Sequence, residues 1–195
     1  MDDERGERIL QAIDDDDIAT FVAELGDFTI DDDRYQYWEF ARVASFQGRA
    51  DILDILLTTD QELIPLDSEL VVDMIRGEQN ELLQQYILND RVQDDSGAYR
   101  HASVENDNYD FIQWYFDNVS SIIALSQDTI EEQIYDFMEE AIKQNYLLKP
   151  VEFIHQIYLN KQGTPGWEFG WVWEDIEVPD DTKPVIQDYI ATHSI

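Results

Sequence analysis

One pattern of small and apolar residues recurs along most of the chain, and it restricts the folds that the chain can adopt. Each copy has a small or apolar residue in one short amphipathic segment, then a polar turn, then a second amphipathic segment. These marker residues recur about every 30 positions, with a longer last step; they are Ala12, Ala44, Met74, Ala102 and Ala141. A repeat of this length is typical of stacked two-helix units, so the sequence predicts an all-α solenoid of helical hairpins.

The second segment of each copy carries an apolar stripe at helical spacing. The stripes are Ile18, Phe21, Val22 and Leu25; Ile52, Leu53, Leu56 and Leu57; Leu82, Leu83, Tyr86 and Ile87; Phe111, Ile112, Tyr115 and Phe116; and Phe153, Ile154, Ile157 and Tyr158. Residues at this spacing lie on one face of a helix. We therefore expect each second helix to present an apolar ridge that the next copy covers, while the small marker residues let first helices approach closely.

The second copy resembles the unit of the ankyrin repeat family, a turn followed by two antiparallel helices. Ala44 takes the place of the family's alanine, Gly48 that of its glycine, Ile52–Leu53 that of its Ile-Val pair and Leu56–Leu57 that of its Leu-Leu pair. The family's Thr-Pro-Leu-His stretch does not occur. The turn glycine is replaced in the other copies by residues of which several tolerate a left-handed backbone; they are Asp16, Glu78, Asn106 and Asn145.

The resemblance implies a degenerate ankyrin-like array over residues 1–161, a family that binds partner proteins through its loops and concave helical face. The alternative is an unrelated helical bundle with hairpins of similar length. Residues 162–195 follow a different pattern, in which aromatic residues alternate with others after the turn Gly163–Gly166. Period-two alternation at Trp167, Phe169, Trp171 and Trp173 predicts an extended segment, and Pro184 fits the first turn of a final capping helix. A cap is the favoured role of the aromatic stripe, with a binding surface as the alternative.

The charge of the chain restricts its partners. Forty-four acidic residues oppose 12 basic ones, which gives a net charge of −32. Such a chain repels nucleic acid and anionic membranes, and is drawn toward basic partners in a salt-dependent way. Two other interpretations stay open, a surface adapted to a high-salt environment and a merely solvated acidic face.

The sequence offers no motif for catalysis or for a cofactor. There is no cysteine, and His101, His155 and His193 have no metal-ligand spacing to one another. Phosphate-binding and dinucleotide-binding glycine patterns are absent, and the acidic runs lack the spacing of a calcium loop. We therefore predict a non-enzymatic protein without a catalytic, cofactor or metal site. The chain has no Sec-type signal at its start and no apolar stretch near about 18 residues, so we expect a soluble, cytoplasmic protein.

Acidic residues in the turns and on the helices are the candidate contacts for a basic partner protein. The predicted turn contacts are Asp31, Asp32, Asp33, Asp67, Asp94 and Asp95, and the helical ones are Asp51, Asp54, Glu131, Glu132, Asp136, Glu139 and Glu140. A narrower hypothesis is a DNA-mimicking inhibitor, anti-restriction or anti-CRISPR-like, of a nucleic-acid-binding protein. The alternative is an ankyrin scaffold or effector whose charge suits a high-salt environment. Self-repulsion favours a monomer.

Overall fold

A computed structural model describes the first part of the chain almost continuously and the rest at separate positions. The described residues are 3–29, 32–59, 62–63, 66–89, 91–92, 96–122, 134, 136–137, 139–141, 152–153, 156, 184–185, 188–189 and 192. They divide into two compact units, Met1–Tyr99 and Arg100–Ile195. Most described residues are helical, which confirms the predicted helical class. The predicted aromatic segment at 167–173 lies outside the described residues, whereas Pro184 and Tyr189 are helical and Tyr189 is buried.

Eight helices and one short two-stranded β-hairpin form the described elements up to residue 122. The helices are α1 (Asp3–Asp14), α2 (Ile18–Leu25), α3 (Arg34–Gln47), α4 (Ala50–Leu56), α5 (Ser68–Arg76), α6 (Asn80–Leu88), α7 (Ser96–Glu105) and α8 (Tyr109–Ile122). Strands β1 (Thr58–Thr59) and β2 (Glu62–Leu63) pair antiparallel, with Thr58 opposite Leu63. This small ribbon between α4 and α5 was not expected from the helical pattern.

The same turn joins the two helices of four successive hairpins. Each turn contains one residue in the left-handed conformation, namely Asp16 (φ 56°), Gly48 (φ 71°), Glu78 (φ 57°) and Asp107 (φ 53°). The next residue donates its backbone N–H five positions back, from Asp17 to Ala12 O, Arg49 to Ala44 O, Gln79 to Met74 O (2.9 Å each) and Asn108 to Ser103 O (2.8 Å). This is the Schellman motif, which closes the free carbonyls at a helix end.

The fourth turn lies one residue later than the sequence predicts. Asp107, rather than Asn106, is left-handed, and Ser103, rather than Ala102, accepts the long-range turn bond. Asn106 instead donates both its backbone N–H and its side-chain amide to Ala102 O, at 3.1 and 2.8 Å. These bonds continue the helical hydrogen-bond pattern to Asn106, one residue past the end of α7, and the left-handed residue is then Asp107.

In the first unit, each first helix packs against its own second helix, and the first helices of the first two hairpins also pack against the next first helix. Thus α1 contacts α2 and α3, α3 contacts α4 and α5, and α5 contacts α6, while α2 contacts α4. The marker residues Ala12, Ala44 and Met74 are buried in these contacts. The apolar stripe of α4 is also buried throughout, whereas that of α2 is narrower than predicted, because Ile18 and Val22 are 36% and 49% exposed.

Successive hairpins in the first unit are linked by the side chain that follows each left-handed residue. Arg49 donates from Nε to Ile13 O (3.0 Å) and from Nη2 to Asp14 O (2.6 Å). Gln79 donates from Nε2 to Phe46 O (3.2 Å). Asp14 and Phe46 occupy the same place, two residues before the left-handed residue of their own hairpin. Each link therefore supplies a hydrogen-bond donor to a carbonyl at the C-terminal end of the first helix in the preceding hairpin.

The described part of the second unit is built around aromatic residues of α8. Phe111 and Phe116 are fully buried, and the ring of Phe116 lies 5.0 Å from that of Phe137 at a steep angle. At the surface, Arg100 pairs with Asp136 at 3.1 Å and His101 Nδ1 lies 2.9 Å from Glu140 Oε1.

Two buried tyrosines should make the fold sensitive to alkali. Burial raises the pKa of Tyr37; burial together with the hydrogen bond to the Asp54 carboxylate raises the pKa of Tyr86. The folded state therefore retains protons that the unfolded chain releases near about pH 10. The contribution of the two tyrosines to the free energy of unfolding is complete below that pH and is lost as the pH rises above it. We expect urea unfolding to show stability falling from about pH 10 upward, with a shallower fall for Tyr86→Phe. An equal slope in both proteins would contradict this assignment.

Candidate functional site, an aromatic groove between α3 and α5

An open groove of about 470 Å³ runs between α3 and α5 in the first unit. We call it the α3–α5 groove; it is lined by Tyr35, Trp38, Glu39, Arg42, Val43, Phe46 and Gln47 of α3 and by Glu69 and Asp73 of α5. The contacts between Arg42 and Asp73 and between Phe46 and Gly77 are offset by the same number of residues, so the two helices run parallel. Their N-terminal ends therefore lie at the same end of the groove.

Exposed aromatic rings are the most unusual property of the groove. Tyr35 is 83% exposed and Phe46 is 49% exposed, while Trp38 is half-buried. On the other side of α3, Tyr37, Phe40, Ala41 and Ala44 are buried against the rest of the unit. Helix α3 is thus apolar on two sides, and the side that faces the groove is open to solvent. Apolar surface gathered in this way marks sites of interaction.

A buried carboxylate and a half-exposed guanidinium form the polar part of the groove. Arg42 donates from Nε to Asp73 Oδ2 at 2.7 Å and from Nη2 to Asp73 Oδ1 at 3.4 Å. The side chain of Asp73 is only 9% exposed, whereas that of Arg42 is 49% exposed. The hydrogen bond to this carboxylate raises the pKa of Arg42, which stays charged at every physiological pH.

The groove carries an excess of negative charge. Glu39, Glu69 and Asp73 bring three carboxylates, and Arg42 brings one positive charge. Apolar rings surrounded by carboxylates suit a ligand that combines an apolar side chain with a positive charge. The arrangement is therefore suited to recognition of a basic segment.

The separation of α3 and α5 depends on a close backbone contact at one end of the groove. A Cβ atom placed on Gly77 would lie 1.9 Å from the carbonyl oxygen of Phe46 and 2.8 Å from its carbonyl carbon. The same oxygen accepts the amide of Gln79. The absence of a side chain at position 77 thus sets how closely the two helices approach.

Three of the predicted turn acids have a role in local structure. Asp33 and Asp67 are the N-caps of α3 and α5, and accept the N–H of Gln36 (3.2 Å) and of Leu70 (3.1 Å). Since the helices are parallel, both caps lie at the same end of the groove. Asp32 accepts the backbone N–H of Thr29 (2.7 Å) and its hydroxyl (3.0 Å), and these bonds lower the pKa of Asp32.

The two predicted helical acids of the first unit, Asp51 and Asp54, do not line the α3–α5 groove. Asp51 is exposed in the first turn of α4. Asp54 accepts the hydroxyl of Tyr86 (2.6 Å) and Nη1 of Arg91 (2.5 Å). In the second unit, Asp136 pairs with Arg100 and Glu140 contacts His101, as described above, and Glu139 is half-buried. The remaining candidates lie outside the described residues; they are Asp31, Asp94, Asp95, Glu131 and Glu132. Partner contact by any of these acids stays a prediction.

Neither a metal site nor a known relative defines the groove further. Among the described residues, no three histidine, aspartate or glutamate side chains are arranged to hold a metal ion. No helix within the described part of the chain combines the length and the apolar character needed to cross a membrane. No protein-family model, curated protein or solved structure matches the chain.

Proposed function

We propose that the chain is a non-enzymatic binding module of ankyrin-like helical hairpins, which takes a basic segment of a partner protein into the α3–α5 groove. The observation that carries this proposal is the set of exposed aromatic rings surrounded by carboxylates. Buried aromatic anchors supply most of the affinity at protein interfaces, while complementary charge speeds association and selects the partner. The groove offers both on one face of α3.

The ankyrin-like part of the proposal is supported by the repetition of local structure. The same left-handed turn occurs at Asp16, Gly48, Glu78 and Asp107, and the same link to the preceding hairpin occurs at Arg49 and Gln79. An unrelated bundle has no need for equivalent bonds at equivalent positions. Successive contacts from α1 to α3 and from α3 to α5 agree with stacking.

The exposed rings favour protein recognition over the two narrower explanations of the charge. A DNA mimic works by placing carboxylates where phosphates bind, and a salt-adapted surface works by solvation; neither needs the open aromatic face of Tyr35 and Phe46. Several predicted acids also serve as helix caps or ion-pair partners, as Asp33, Asp67 and Asp54 do. A nucleic-acid-binding protein remains a suitable partner when its basic segment also carries apolar side chains.

Calorimetric titration of the whole protein with a synthetic basic peptide tests the proposal. The probe alternates leucine with basic residues, so that it supplies apolar side chains for the exposed rings and cations for the carboxylates of the groove. We expect Glu39→Gln with Glu69→Gln to weaken binding about threefold to tenfold, because two rim charges are lost. Binding of the peptide to the wild-type protein should also weaken when the salt concentration rises from about 0.01 M to about 0.15 M, because the screening length falls.

A variant pair with the same net charge provides the control. Glu7→Gln with Glu81→Gln removes two exposed acids away from the groove, on α1 and α6. Binding should change less than twofold, roughly the effect of distant charges under screening. Equal weakening by both pairs of substitutions would mean that net charge alone attracts the peptide. An absence of binding to the wild-type protein would refute the proposed function.

A further inference from the structure

The α3–α5 groove already holds one guanidinium, and the geometry of that contact indicates which cation the groove prefers. Arg42 reaches both oxygens of Asp73, from Nε at 2.7 Å and from Nη2 at 3.4 Å. A planar guanidinium spans a carboxylate in this way, whereas a lysine ammonium acts as a single point of charge. The carboxylates of the groove are therefore compatible with a guanidinium as a partner.

The exposed rings add a second preference for a guanidinium. Tyr35, Trp38 and Phe46 line the same groove as the carboxylates of Glu39 and Glu69. Guanidinium planes stack on aromatic faces and give up their hydration more readily than an ammonium does. A side chain that lies over a ring and reaches a carboxylate therefore gains more from this groove when it is arginine.

The first unit contains an internal example of the same combination. The guanidinium carbon of Arg91 lies 4.5 Å from the centre of the Tyr86 ring, and Nη1 donates to Asp54 at 2.5 Å. An aromatic face and a carboxylate thus hold one guanidinium together in this unit, outside the groove. Positions 1–142 contain eight arginines and no lysine.

We infer that the α3–α5 groove selects arginine over lysine in the basic segment that it binds. The inference rests on the proposed function and names the chemistry of the partner, an arginine side chain flanked by apolar residues. Asp73 stays paired with Arg42, while Glu39 and Glu69 serve as the carboxylates for the incoming guanidinium. The exposed rings of Tyr35 and Phe46 supply the stacking faces.

Two synthetic peptides of equal length test the inference on the full wild-type chain by calorimetry. One alternates leucine and arginine, and in the other every arginine is lysine. We expect the arginine peptide to bind about threefold to tenfold more tightly. Equal dissociation constants would overturn the arginine preference and leave the proposed function standing; failure of both peptides to bind would overturn both.

A variant that removes the two exposed rings, Tyr35 and Phe46, but keeps apolar surface identifies their share of the preference. Tyr35→Leu with Phe46→Leu should bring the two dissociation constants within about twofold of each other, chiefly by weakening the arginine peptide. Both side chains are exposed, so the fold should be retained, which circular dichroism checks. Leu88→Ala, at a position 60% exposed on α6, is the control and should leave the preference unchanged. An arginine preference that survives the loss of both rings would contradict the inference.

Discussion

Replacing Gly77 with alanine is expected to lower the free energy of unfolding by about 3 kcal/mol, the upper part of the range for overpacking a tight contact. The added methyl group would lie 1.9 Å from the carbonyl oxygen of Phe46, and that oxygen belongs to the backbone of a packed helix. The backbone at Gly77 has a φ of −82°, which alanine adopts freely. The loss would therefore come from forcing α3 and α5 apart, and urea unfolding would measure it.

Gly6→Ala is the control, and it should not lower the free energy of unfolding. Gly6 lies inside α1, where a Cβ would meet only the end of the Gln36 side chain, at 2.7 Å. That flexible amide can move, and alanine favours a helix interior over glycine by about 1 kcal/mol. We expect Gly6→Ala to leave the protein as stable as the wild type or more so. Similar losses at both positions would mean that the close contact at Gly77 is not what positions the two helices.

The ion pair in the groove should respond unequally to loss of its two partners. Arg42→Met leaves the carboxylate of Asp73 buried and unpaired, and we expect a loss of about 2 kcal/mol, below the usual cost for fully buried pairs. Asp73→Asn keeps an acceptor for Arg42, whose half-exposed side chain can also turn to water. The expected loss is then about 1 kcal/mol or less. Urea unfolding of both variants gives the comparison.

A double variant separates the charge effect from lost packing. Combining Arg42→Met with Asp73→Leu removes both charges and fills the site with apolar groups. Because an apolar replacement of a buried ion pair is often neutral or stabilising, the double variant should recover most of the stability lost by Arg42→Met alone. A double variant less stable than either single one would show that the pair stabilises the first unit through more than mutual neutralisation.

The turns and apolar ridges could be predicted from the sequence because they depend on neighbours along the chain. The left-handed residues at Asp16, Gly48 and Glu78 occupy the positions predicted from the spacing of the marker residues. The ridge of α4 is buried as predicted, because one face of a helix follows directly from residue spacing. In the fourth copy the side chain of Asn106 competes for a carbonyl, and a one-residue difference of this kind cannot be derived from periodicity.

The groove was not predicted, because it exists only where two first helices meet. Its one local signal is in α3 itself, which carries Tyr35, Trp38 and Phe46 in addition to the aromatic residues of its buried side. More apolar surface than one core face needs is a readable sign of a second contact. The pairing of Arg42 with Asp73 and that of Asp54 with Arg91 each join residues more than 30 positions apart, so net charge alone could not reveal them.

Arg49 and Gln79 donate hydrogen bonds to main-chain oxygens of the preceding hairpin. Because the acceptors belong to the backbone, these links affect how the sequence can vary. Every residue type presents a carbonyl, so mutations at Ile13, Asp14 or Phe46 leave the acceptor in place. The donating side chain is constrained by this link, whereas the link itself places no constraint on the side chain at the accepting position. Neighbouring helical hairpins can in this way lose their sequence similarity during evolution and still pack in the same register.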